Sequence, residues 1–205
     1  MRGRVLARIG AVAFFAVAFV GLENSSRTSF AIHMTQHMVL MVVLAPLVVI
    51  GWPLRNPPKL MQSHAFAPLA VLAQTAALVV WHIPAVFDAA EANTALHIAE
   101  HLVLFGTALA TWWVIIASRE SAAVRFAVCA LAAAPMMLLG VLLTFAPNVW
   151  YSAYAVQHGL SPIVDQQTGG AVMWGPAGIA YVVAAAWIVA QAITRDERFA
   201  ATRSG

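Results

Sequence analysis

Six long apolar runs constrain this chain more than any other feature: residues 5–22, 31–50, 66–86, 96–117, 124–146 and 171–193. A helix crosses the hydrocarbon core of a bilayer with roughly 20 apolar residues, and each run has about that length. Charge is too scarce for a water-facing surface. Only 9% of the 205 residues are charged and the mean hydropathy is +0.82, whereas soluble domains are about a quarter charged. No run shows the period-two alternation of a barrel strand, and backbone polar groups in hydrocarbon must be satisfied within their own segment. The expectation is an all-α polytopic membrane bundle of about six helices, forming a single domain over 1–205.

The loops predict its orientation. Arg2, Arg4, Arg8, Arg55, Lys59, Arg119, Arg125, Arg195, Arg198 and Arg203 fall on one side of the six runs, and Arg27 alone on the other. By the positive-inside rule both termini are cytoplasmic. The basic balance, with a pI near 9.6, therefore reads as a topology signal and not as a nucleic-acid surface. Ala16-Val17-Ala18 after an Arg-rich start is reminiscent of a signal peptide; apolar residues continue past it, so the first run is read as a retained helix. Trp52, Trp81, Trp112, Trp113, Trp150 and Trp174 lie towards run ends, as an interfacial aromatic belt requires. A single Cys129 excludes an internal disulfide or a paired-cysteine metal motif and reads as a small core residue.

With this topology, six of the seven histidines share the extracytoplasmic side. His33 and His37 stand in the outer third of the second run, His97 and His101 in that of the fourth, and His82 near the outer end of the third beside Trp81 and Pro84. His158 belongs to the last outer loop, where it needs no partner. Only His64 is on the other side. Residues four apart share one helix face, about 6 Å apart along the axis. The segments His33-Met34-Thr35-Gln36-His37-Met38 and His97-Ile98-Ala99-Glu100-His101 thus present matched pairs, each with a polar residue on the histidine face.

Those residue types point to a bound ion. Neutral imidazole is the commonest metal ligand, and its second nitrogen usually bonds to a carboxylate or amide. Glu100 and Gln36 are candidates for that supporting role. A carboxylate costs something like 3 kcal/mol at mid-membrane, so Glu100 is expected to have a partner. Met34, Met38 and Met173 add soft sulfur on the same side; imidazole with thioether suits copper, Cu(I) in particular. Such a site is expected to release its ion as pH falls below about 6.5. Met41, Met136 and Met137 read as packing residues, and Pro46 and Pro135 as helix kinks whose freed carbonyls neighbours satisfy.

Other readings of the same residues stay open. One histidine from each of the second and fourth runs would ligate a b-type haem across a bundle. His97-x-x-Glu100-His101 also matches the HxxEH pattern of a zinc hydrolase, with Glu as base. A transporter needs a charge relay, and no run carries a second charged residue to build one. The polar stretch Asp165-Gln166-Gln167-Thr168-Gly169-Gly170 leads into the sixth run, with Gly175-Pro176 beyond it. Its glycines permit close helix approach or an irregular start, and Asp165 either covers the histidine site or caps the helix.

Taken together these segments resemble the membrane-integral CtaG family of cytochrome c oxidase assembly factors. The matching elements are His33-Met34-x-x-His37-Met38 with Ala45-Pro46-Leu47 and Gly51-x-Pro53, then Trp81-His82-x-Pro84 with Phe87-Asp88. His97-x-x-Glu100-His101 with Trp112-Trp113 follows, and Asp165-Gln166-Gln167-x-Gly169-Gly170 with Met173-Trp174 completes them, over about residues 30–193. The resemblance implies a multi-pass protein of a bacterial-type plasma membrane with no enzymatic activity of its own. It further implies a role in maturing a haem–copper oxidase, with copper delivered to the catalytic subunits from the outer face. Relatives in that family usually carry seven spans, one more than is read here.

Overall fold

A computed structural model describes residues 2–154 and 161–203, with side chains as far as residue 195; His158 lies outside the described residues. All regular structure among them is helical. The membrane-scale helices are α1 (Arg2–Gly21), α2 (Phe30–Gly51), α3 (Phe66–Trp81), α4 (Pro84–Ala92), α5 (Thr94–Ala117), α6 (Ala122–Thr144) and α7 (Pro162–Arg203). Five of these are long and apolar enough to cross a membrane, and six spans result if α3 and α4 together make one. The chain is an all-α bundle, as its apolar runs require.

Two boundaries differ from the sequence reading. The third run is not continuous: α3 stops at Trp81, and α4 leaves it at 75°. Pro84 opens α4, and Ile83 before it is extended, with φ −64° and ψ 125°. A proline disfavours helical backbone in the preceding residue and suits the first turn of a helix. The break falls on His82-Ile83. The sixth helix begins at Pro162 and not near 171, because the Asp-Gln-Gln stretch is itself helical.

Gly169 and Gly170 sit inside that helix and serve close approach. A methyl group on Gly170 would come within 2.5 Å of the Thr144 amide nitrogen on α6, and one on Gly169 within 2.4 Å of the Phe30 ring on α2. These glycines let α7 lie against both neighbours.

Proline shapes α2 through a chain of lost and replaced hydrogen bonds. The Ala45 amide reaches back five residues to the Leu40 carbonyl, in a widened turn over Val39–Leu44. In that register the partner of the Met41 carbonyl is residue 46, and Pro46 has no N–H to give. The indole Nε1–H of Trp112 on α5 donates to it instead, at 2.7 Å. Trp112 in turn stacks on Tyr181 of α7, with centroids 5.1 Å apart, and Tyr181 accepts from Gln74 of α3. Trp112 and Trp113 are therefore buried core residues and not members of the aromatic belt; Trp52, Trp150 and Trp174 are more open.

The bundle has two chemically distinct ends. At one, Arg8 Nε donates to the Gly51 carbonyl, closing the C-terminus of α2, and Arg125 Nε donates to the Ile115 carbonyl near the end of α5. Cations suit helix C-termini. At the opposite ends of α2 and α5 stand the paired histidines. Asp165 of α7 fastens the start of α2: its carboxylate accepts from Ser29 Oγ (2.7 Å), the Phe30 amide (2.6 Å) and the Ala31 amide (3.3 Å). Gln166 bonds the Trp150 amide and the Asn148 carbonyl, and Gln167 donates to the Ala146 carbonyl. The motif ties α7 to α2 and to the chain leaving α6.

Candidate metal centre

The helix periodicity of α2 and α5 turns their histidine pairs towards each other. Ring centroids are 4.4 Å apart for His33–His37, 4.5 Å for His97–His101, 5.3 Å for His33–His97 and 5.0 Å for His37–His101. His82, at the α3–α4 break, reaches within 5.7 Å of the His37 ring. All five rings are buried. Ligand atoms of His33, His37 and His101 lie within 4.8 Å of one another, as do those of His33, Glu91, His97 and Glu100.

The hydrogen bonds decide which nitrogen of each ring is free. A carbonyl oxygen can only accept, so His82 Nδ1–H donates to Leu78 and His101 Nδ1–H donates to His97, each at 2.8 Å. Their Nε2 atoms are then bare lone pairs, buried without a hydrogen-bond partner among the described residues. One carboxylate oxygen of Glu91 lies 3.0 Å from both His33 Nδ1 and His97 Nδ1, which leaves Nε2 of His33 facing His37 and Nε2 of His97 facing Glu23. His33 Nδ1 also contacts the Tyr154 hydroxyl at 3.0 Å, while that hydroxyl donates to the Ser26 carbonyl. His33 Nε2 and His37 Nε2 approach to 2.9 Å; two nitrogens so close need a proton on one of them or a cation between them.

Glu100 stands among these nitrogens, 3.6 Å from His37 Nε2 and 3.9 Å from His33 Nε2. It is fully buried, and neither of its oxygens has a hydrogen-bond partner among the described residues. Unpaired buried polar atoms are costly, and several lie together in this cluster. Ligand atoms of His33, His37 and His101 are close enough to share one cation, with Glu100 beside two of them, so the residues present fit a metal ion.

Aromatic rings close the site on the α4 side. Phe30 stacks on Tyr151 (4.8 Å), Tyr151 meets Phe87 (4.4 Å), and Phe87 lies 5.2 Å from the His33 ring. Tyr151 donates to the His82 carbonyl at 3.1 Å, and Asp88 holds the Ser152 and Ala153 amides. Burial, then the nearby Glu91 charge, pushes the Tyr154 phenol above its ordinary value, so it stays protonated and can donate.

The other expected residues have different work. Gln36 points to α1, donating to the Ala18 carbonyl (2.7 Å) and to Glu23 (3.1 Å). Asp165 acts at the start of α2, the helix that carries His33 and His37. Met34, Met38 and Met173 belong to the buried apolar core. His64 is exposed at the basic end, against Glu120.

Glu91, Glu23 and Tyr154 complete the site without having been singled out in the sequence. Glu91 left one trace: it follows Phe87 by four residues, so it shares the face that α4 buries. Replacing Glu91 with alanine frees two imidazoles to rotate, and affinity for a bound metal is expected to fall about 10–100-fold, the usual cost of losing such an outer partner. Titration of the purified variant against a competing chelator reads this directly.

A helical membrane protein that buries a histidine–carboxylate cluster between its spans is the class that fold and site define. The chain belongs to the cytochrome c oxidase caa3 assembly factor family (Caa3_CtaG), which it matches over residues 2–195. The family named by the sequence motifs is thereby confirmed, and with it a role in assembling cytochrome c oxidase. No curated protein and no solved structure matches the chain.

Proposed function

We propose that this assembly factor binds one copper ion in the cluster and hands it to a catalytic subunit of a haem–copper oxidase. The observation that carries the reading is the buried set His33, His37 and His101, whose ligand atoms lie within 4.8 Å of one another beside the Glu100 carboxylate. Imidazole nitrogen suits copper, zinc and iron, and a cytochrome c oxidase under assembly requires copper. His33, His37 and His101 would hold the ion, with Glu100 adding charge and Glu91 fixing the rings. His82 stands ready for ligand exchange.

Nothing in this scheme asks for covalent chemistry, in keeping with an assembly factor that has no catalytic activity of its own. The imidazoles already touch one another, which favours a single ion over a haem slotted between α2 and α5. By the positive-inside rule the cluster faces the extracytoplasmic side, where the ion is taken up and released. Metal analysis of the protein purified from copper-supplied cells, beside its visible spectrum, tests the proposal. About one copper per chain without a Soret band is the expected result. Stoichiometric iron with a Soret band, zinc in place of copper, or no bound metal would overturn it.

A further inference from the structure

A cavity of about 410 Å³ runs between α1, α2 and α5 to the edge of the cluster. Phe19 and Phe105 represent its mostly apolar wall, and Glu23, Arg27, His97 and His101 also line it. Both imidazoles present bare, buried Nε2 atoms without a hydrogen-bond partner among the described residues. His97 Nε2 stands 3.8 Å from Glu23 Oε1. That distance is too long for a hydrogen bond, but it suits two ligands that share one ion at about 2.0–2.2 Å each.

Glu23 is well placed to meet solvent, since its side chain is 35% exposed whereas His97 is buried. Its orientation is set: Gln36 donates to Oε2 at 3.1 Å, leaving Oε1 for His97 and for Arg27, whose guanidinium lies 3.3 Å away. The Glu23 carboxylate stands where the cavity meets the surface.

We propose that Glu23 and His97 form a portal at which Cu(I) first binds, before passing through His101 to the inner cluster. This rests on the copper reading above and adds a route to it. Cu(I) accepts two or three ligands and carries a single charge, so it can leave Glu23 and enter an apolar-walled cavity more easily than a strongly hydrated divalent ion. From His97 the next ring is close, with the His101 centroid 4.5 Å away. Arg27 competes for Glu23 Oε1 and yields it when the ion arrives.

The test is stopped-flow uptake by the detergent-purified full chain, with Cu(I) offered as its coloured bicinchoninate complex. Glu23→Gln should slow loading about tenfold or more, on the scale by which local charge focuses cation association. Arg27→Ala should load faster than wild type, an opposite sign that general misfolding does not produce. Loading of Glu23→Gln at the wild-type rate, or equal slowing in both variants, would overturn the portal while leaving the inner site intact. Failure of the wild type to load at all would instead remove the copper reading beneath it.

Discussion

Replacing His37 and His101 together with alanine should leave the purified protein without stoichiometric copper, while His64→Ala should stay fully loaded. These two rings are the cleanest pair to remove. His33 and His97 both brace Glu91, and His33 also meets Tyr154, so their loss would disturb packing as well as ligation. His37 uses its Nε2 only against the cluster, and His101 is anchored locally to the carbonyl one turn back. The double variant removes two of three imidazoles from the set within 4.8 Å. Its cost should exceed the about 10–100-fold that losing an outer partner brings. His64 lies at the basic end and is exposed, so it controls for adventitious binding to surface imidazole. Undiminished copper in the double variant would remove the ligand assignment.

Asp165→Ala should be the most destabilising single change, at about 3–5 kcal/mol. The carboxylate is buried and accepts from Ser29 Oγ and from the Phe30 and Ala31 amides. Two main-chain N–H groups at the start of α2 would lose their acceptor, at about 1–3 kcal/mol each, along with a charge placed favourably at a helix N-terminus. Because His33 begins one turn later, copper should be lost in parallel with folding. Asp165→Asn keeps an acceptor oxygen of the same reach and should recover part of the stability. Ser29→Ala, which removes one of the donors and the cap of Ile32, should be milder still. Thermal unfolding in detergent ranks the three; equal melting of Asp165→Ala and wild type would show that α2 does not depend on this fastening.

Much of the site was legible because its logic is local. The four-residue spacing of His33–His37 and His97–His101 is a property of one helix, and any bundle that turns α2 and α5 face to face brings the pairs together. His82 was legible for a related reason, since Pro84 marked a disturbance beside it. The supporting carboxylates were not. Glu100 shares the histidine face as its spacing demands, yet it stands among the Nε2 atoms and leaves the orienting role to Glu91. Glu91 reaches His33 only because α4 departs from α3 at 75°; a proline shows where a helix can break but not the direction the chain takes afterwards. Gln36 was expected to support an imidazole and instead meets α1, whose position no spacing within α2 contains.

The sequence by itself determined what a single segment's chemistry dictates: apolar length for helices in lipid, charge bias for an expected orientation, paired histidines on shared faces, and the family. Tertiary structure decided what depends on segments distant along the chain. It placed Asp165 on the start of α2, Trp112 on the carbonyl that Pro46 leaves open, and Glu91 between two imidazoles. A hydrogen bond is won or lost within an ångström, and that distance is set by how helices cross and where they break, neither of which periodicity encodes.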